Sequence, residues 1–461
     1  MTTTTNVSTM IPFRFRVGVL EPLTEAEREA IEETLKTAVL NLCDKESRKL
    51  LQRAKHTTLA FSYVELTDDT LNGIDLLLVH EDDLDINVRA RDLRRPVVRV
   101  SKTNPTEFKL ASGIGLSAHA VTGIDRFNAY SVSDAEQRAY LENLYKDVFA
   151  GSDRLPQHVK QSVRDELMPF YVRASLVAKS NQTLYYRAGL IVYSFSALAV
   201  GAVAIGTLKP DVAPWAFGLE LFFLLIIVGV ILLTTYKHAH KNWIEARYLT
   251  ERIRAAIFLT TCGVKTSTVE QPANVGVTGR PDEWMTIAFN EIIGRLNVPQ
   301  PLAVKTLVDF IRQKWVKKQI EFHEAKARSA ERKSRVLERM GLMIFIAAVV
   351  AALAHLLLHR VHMEALEVHL DAFGKYLTFA AIFLPAGGAA IGGIRAHREY
   401  SRLAERSKNM EQSLTRLNAE LSNQISREQL TDVLTRLEAL TLLELQDWLM
   451  LMSLAKLEAS A

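Results

Sequence analysis

Four long apolar runs, set in an otherwise strongly charged chain, limit what this sequence can fold into. The first, AGLIVYSFSALAVGAVAIGTL, starts at Ala188. The short link KPDVAP turns the chain into the second, WAFGLELFFLLIIVGVILLTT. The third, GLMIFIAAVVAALAHLLL, starts at Gly341, and the fourth, YLTFAAIFLPAGGAAIGGI, at Tyr376. About 20 apolar residues in a helix cross a hydrocarbon core of about 30 Å. Four such runs paired by short links predict two transmembrane hairpins. Buried helices of a large soluble core explain the pairing poorly.

The overall hydrophobic fraction, 48% of 461 residues, is ordinary, so it is the clustering that carries the signal. The net charge of +4 is mild, and its placement matters more. The link inside the first hairpin carries only Lys209, and the link inside the second carries Arg360 and Lys375. The opposite flanks are basic: Arg173, Lys179 and Arg187; Lys237, Lys241, Arg247, Arg252 and Arg254; Arg328, Arg332, Lys333, Arg335 and Arg339; Arg395, Arg398, Arg402 and Arg406. The positive-inside rule then places both termini and the long middle segment in the cytoplasm. These flanks suit topology and anionic lipid rather than nucleic acid. With only Cys43 and Cys262, neither a disulfide framework nor a Cys-x-x-Cys metal site can be built. The polar start, MTTTTNVSTM, lacks the pattern of a cleavable signal.

The predicted organisation is an α/β cytoplasmic domain over residues 11–130 and a helical linker over 131–187. The first hairpin with its cytoplasmic helix covers 188–262, amphipathic helices cover 282–340, and the second hairpin with C-terminal helices covers 341–461. The membrane region is all-α. In the first domain RFRVGVL, TTLAFSYVEL, IDLLLVH and PVVRVS read as strands, alternating with helices, which predicts a parallel sheet. TEAEREAIEETLKTAVLNL is a helix opened by a Thr24–Glu27 capping box. The two hairpins read as a loose repeat, each followed by an amphipathic helix, KNWIEARYLTERIRAAIFLTT and RAHREYSRLAERSKNMEQSLTRLNAEL.

Candidate site residues follow from position. Parallel sheets bind ligands beyond the carboxyl ends of their strands. Gly18 lies in the first strand and Glu21 just after it; Asp82 belongs to the acidic run Glu81–Asp85 after the third, and Arg89 follows on the next predicted helix. That run is either a solvated loop or, with Arg89, Arg91 and Arg94 compensating, a ligand or cation site. Gly113 and Gly115 begin a G-x-G-x-x-A string ending at Ala118, either a loop with glycine turns or a ligand contact. Gly123 is expected to interrupt any helix that follows. Within the membrane, Glu220 either lines a water path or another subunit, or reaches the outer interface. His355 is a further intramembrane polar group, read as interfacial rather than metal-binding. Pro385 should kink the fourth span, and the Gly388–Gly392 spacing allows close helix approach, within the hairpin or between subunits. No catalytic constellation or metal set stands out.

The segments MPFYVRASLVAKSNQTLYYRAGLIVY, KNWIEARYLTERIRA, WVKKQIEFHEAKA and LPAGGAAIGGIRAHREYSRLAERS resemble bacterial SLATT-type membrane proteins, the two-transmembrane effector domains associated with SLOG and SMODS proteins. The resemblance covers about residues 165–450. GIDLLLVHEDDLDINVRARDLRRPVVRV and the RVGV strand resemble a SLOG-type Rossmann domain. Such domains commonly carry a Gly-His-Arg turn where this chain has Leu20-Glu21-Pro22, and a glycine-rich loop where it has Glu81–Asp85. The resemblance implies a homo-oligomeric, signal-gated effector of the bacterial inner membrane, answering a nucleotide second messenger in defence by forming a pore or perturbing the bilayer. No resident cofactor and no enzymatic activity are expected. The alternatives are a regulated ion channel or transporter without a lethal role, and a membrane-anchored nucleotide-processing enzyme.

Overall fold

A computed structural model describes residues 13–19, 23–42, 60–65, 74–80, 97–100, 108–110, 118–266, 284–294, 296, 302–360, 367–421 and 424–454. The chain divides into two compact units. One comprises Met1–Val177, Glu245–Phe310 and Asn423–Leu449; the other comprises Ala178–Ile244, Ile311–Ser422 and Met450–Ala461.

The first unit contains a five-stranded sheet. Its strands are β1 (Arg14–Val19), β2 (Ala60–Glu65), β3 (Leu76–His80), β4 (Val97–Val100) and β5 (Phe108–Leu110), in spatial order β2-β1-β3-β4-β5. The first four pair in parallel and β5 joins β4 antiparallel. In β1, Phe15 and Val17 are fully buried while Arg14 and Arg16 between them are half-buried, the period-two alternation of a pleated strand. In β3, Leu76, Leu77, Leu78 and Val79 are all buried, which is why IDLLLV reads as a continuous apolar run. Helix α1 (Glu25–Leu42) follows β1. Its capping box forms: the Thr24 N–H donates to Glu27 Oε2 at 2.8 Å, and the Glu27 N–H reaches back to Thr24 Oγ1 at 3.4 Å.

The start of β1 is stitched to distant parts of the chain. The Phe13 N–H donates to Asn128 Oδ1 at 3.0 Å, the Arg14 N–H to Glu291 Oε2 at 2.6 Å, and the Arg16 N–H to Asp75 Oδ2 at 2.9 Å. Asn128 closes α2 (Ala118–Ala129), which is followed by α3 (Asp134–Phe149) and α4 (Gln157–Glu166). Helix α2 runs through Gly123, contrary to the sequence expectation of a break. The reason is steric: a Cβ at Gly123 would lie 2.1 Å from Cδ1 of Trp284, so the glycine makes room for the indole. The Trp284 ring lies tilted against Phe127 at 5.0 Å, and its Nε1–H donates to Glu245 at 3.0 Å.

The remaining helices are α5 (Met168–Leu208), α6 (Ala213–Tyr236), α7 (Ala239–Thr261), α8 (Trp284–Gly294), α9 (Val304–Ile311), α10 (Lys317–Arg360), α11 (Glu367–Arg398), α12 (Tyr400–Glu420) and α13 (Arg427–Leu454). A π-helical turn, Arg312–Val316, joins α9 to α10. In the first unit Arg252 on α7 is buried with its guanidinium 4.1 Å over the Phe289 ring of α8, and Arg247 lies 5.1 Å over Trp448 of α13.

Four helices are long and apolar enough to cross a membrane, and they contain the four runs read from sequence. On spans two to four the apolar side chains point mostly outward: Leu225 is 61%, Phe345 65% and Leu357 65% exposed. Water would penalise such surface, and lipid does not. Helix α10 has 44 residues, about 66 Å at 1.5 Å per residue, about twice a hydrocarbon core. Its first half, KKQIEFHEAKARSAERKSRVLERM, is charged and its second half is the third apolar run, with no break between them.

Candidate functional site

The second helix of each hairpin ends in the same way. Helix α6 stops and α7 starts one residue after His238, whose φ is +48°. Helix α11 stops and α12 starts directly after Glu399, whose φ is +50°. At each joint the left-handed residue donates its N–H three residues back, His238 to Thr235 at 3.0 Å and Glu399 to Ala396 at 3.1 Å. At each joint its carbonyl accepts from four residues on, Asn242 at 2.9 Å and Leu403 at 2.9 Å. Among the described residues only these two non-glycines have positive φ. The loose repeat seen in the sequence thus extends to backbone geometry.

Both joints pack on one residue of α5. The Tyr185 ring lies 4.5 Å from His240, two residues past the first joint, and 4.5 Å from His397, two residues before the second. Trp243 closes the cluster at 5.7 Å from Tyr185 and is 1% exposed. Gly189 lets His397 in: a Cβ there would fall 2.3 Å from ring atoms Cδ2 and Nε2. With that space open, Nε2 of His397 lies 3.4 Å from the Tyr185 carbonyl oxygen, which accepts. One turn further on, a Cβ at Gly393 would meet the Tyr193 ring at 2.4 Å. Arg398 stacks 4.1 Å over Tyr186 and donates to its carbonyl at 3.4 Å. Two histidines, three tyrosines and a tryptophan therefore gather where spans one, two and four meet their polar ends.

No family model, curated protein or solved structure matches the chain.

The residues singled out in the sequence are placed as follows. Gly18 is buried in β1, paired with Val64 of β2 and Leu77 of β3. Glu21, Asp82, Arg89, Gly113 and Gly115 lie outside the described residues. The G-x-G-x-x-A string does fall between a strand, β5, and a helix, α2. That strand is antiparallel to its neighbour, however, whereas a dinucleotide fingerprint sits in a parallel βαβ unit. Glu220 is half-buried on α6. His355 is exposed, with Nδ1 3.4 Å from Oγ1 of Thr378 across the second hairpin. Pro385 sits inside α11. A Cβ at Gly388 would touch Ile344 of α10 at an ordinary 3.6 Å, and one at Gly392 would meet nothing within 4 Å. Among the described residues no group of three or more histidines, cysteines or carboxylates could hold a metal ion.

Sequence reasoning missed the aromatic cluster. Its members are spread over residues 185–397 and match no motif. Nothing local marks Gly189 or Gly393 as making room for a ring, since His397 and Tyr193 lie about 200 positions away from them.

Proposed function

We propose that this protein is a signal-gated membrane effector with a Rossmann-like, SLOG-type cytoplasmic sensor and SLATT-type hairpins. In this reading it lies in a bacterial inner membrane with both termini in the cytoplasm and acts in defence as a homo-oligomer. The observation that carries it is the continuity of α5 and α10, each a single helix whose polar half runs on into a span. A displacement of the polar half cannot be absorbed by a loop. The strand order β2-β1-β3-β4-β5 supports a doubly wound sheet, whose order reverses between β1 and β3. A ligand there would act by binding one state of the protein more tightly than the other.

The test is dye release from liposomes carrying the full-length protein. Release on adding NAD, ADP-ribose or a cyclic dinucleotide, and not without it, is the expected result. Release that needs no ligand points to a constitutive channel, and turnover of the nucleotide without release points to an enzyme. In a releasing preparation, Glu220→Gln should change conductance; an unchanged value removes Glu220 from the path.

A further inference from the structure

The two left-handed joints lack the residues that usually form such turns. Helices that end in a left-handed residue usually place Gly or Asn there. This chain has His238 within TTYKHAHKNW and Glu399 within IRAHREYSRL, and neither stretch contains a glycine or a proline. Around Glu399 the run of Arg, Ala, Glu and Leu favours an uninterrupted helix, whereas His238 is of a residue type that tolerates a left-handed φ. Packing from outside the joints has to hold them, and Tyr185 lies 4.5 Å from both flanks, with Tyr186 beside it at 5.1 Å from Trp243 and 6.1 Å from His397.

We propose that Tyr185 is a two-sided latch: it holds both joints in their left-handed form, and on its release α6–α7 and α11–α12 each straighten into one helix. The latch lies on the span helix α5, so a movement of that helix reaches both hairpins at once. Strain held at a non-glycine left-handed residue persists only where the surroundings enforce it, which makes each joint a two-state element. The groups facing the latch are the imidazoles of His240 and His397, the Trp243 indole, Tyr186 and Tyr193 on α5 itself, Arg398 and Glu399. The inference rests on the membrane reading and needs neither a ligand nor a pore.

The test is a distance measured by pulsed electron resonance. Spin labels are placed at Ala389 and Lys408, one on each side of the second joint, in full-length protein carrying Cys43→Ala. These positions are 19 residues apart, so one continuous helix would separate their backbones by about 28 Å. The wild-type background should give a shorter distance. Tyr185→Ala should shift the distribution toward the straight value, whereas Tyr185→Phe, which keeps the ring, should not. Adding Glu399→Gly to Tyr185→Ala should shift the distribution back toward the short distance, because glycine adopts a left-handed φ at no steric cost. His240→Ala, on the far side of Tyr185, should also lengthen it. If Tyr185→Ala fails to fold, Gly189→Ser offers a second way to expel His397, with the same expected lengthening. The latch is refuted if folded Tyr185→Ala matches wild type, if wild type already reads the straight distance, or if His240→Ala leaves the second joint unmoved.

Discussion

Gly123 is held by its neighbour rather than by its backbone. Alanine there would gain about 1 kcal/mol of helix propensity. Against that, its Cβ would overlap an indole boxed in by Phe127 and Glu245, and overpacking of this kind costs about 1–3 kcal/mol. A 2.1 Å approach is severe enough that overpacking should win. Gly123→Ala is therefore expected to destabilise the protein by up to about 2 kcal/mol in urea unfolding, and Trp284→Phe in the same chain should recover part of the loss. Cys262 gives a second prediction at this scale. Its thiol is 1% exposed, and burial pushes its pKa up, only partly opposed by Arg427. In Cys43→Ala protein it should resist maleimide at neutral pH until denaturant is added; fast labelling of the native form would show that the site opens. Its folded pKa is raised, so the stability it contributes is full below the unfolded value of about 8.5 and fades as pH rises beyond it. The sequence made both residues visible and misjudged one. Gly123 reads as a helix breaker because Trp284 is 161 positions away, and nothing local announces the contact.

At the scale of elements, what depends on local pattern was readable. Strands β1 to β4 declare themselves through apolar runs, α1 through Thr24 and Glu27, and the spans through length. Strand β5 escaped because Phe-Lys-Leu is too short to show a period and it pairs in the opposite sense to the others. The joints escaped for a different reason: neither His238 nor Glu399 is the glycine that marks such a turn, and the side chains packed around them come from distant parts of the chain. The helices also carry the topology prediction. With the basic flanks inside, a cysteine replacing Asp211 in the first link should react with an impermeant maleimide added to intact cells. One replacing Lys408 on α12 should react only after permeabilisation. The reverse pattern would invert the orientation.

At the scale of the whole molecule, the chain is interleaved rather than modular. The sheet-containing unit is completed by residues far beyond it: Glu291 bonds the first residue of β1, Trp284 packs on α2, and Asn423–Leu449 belongs to the same unit. A sequence reading from one end to the other sees a self-contained α/β domain because strand and helix signals are local, and this long-range completion is not. A fragment of residues 1–180 lacks Glu245, Trp284 and Glu291, so it is expected to be insoluble or to unfold without a cooperative transition in circular dichroism. A soluble, cooperatively melting fragment would show that those partners are dispensable. The interleaving also has a consequence for biosynthesis. A ribosome releases residue 449 only after all four spans have been made, so the sheet-containing unit cannot finish folding before both hairpins have emerged.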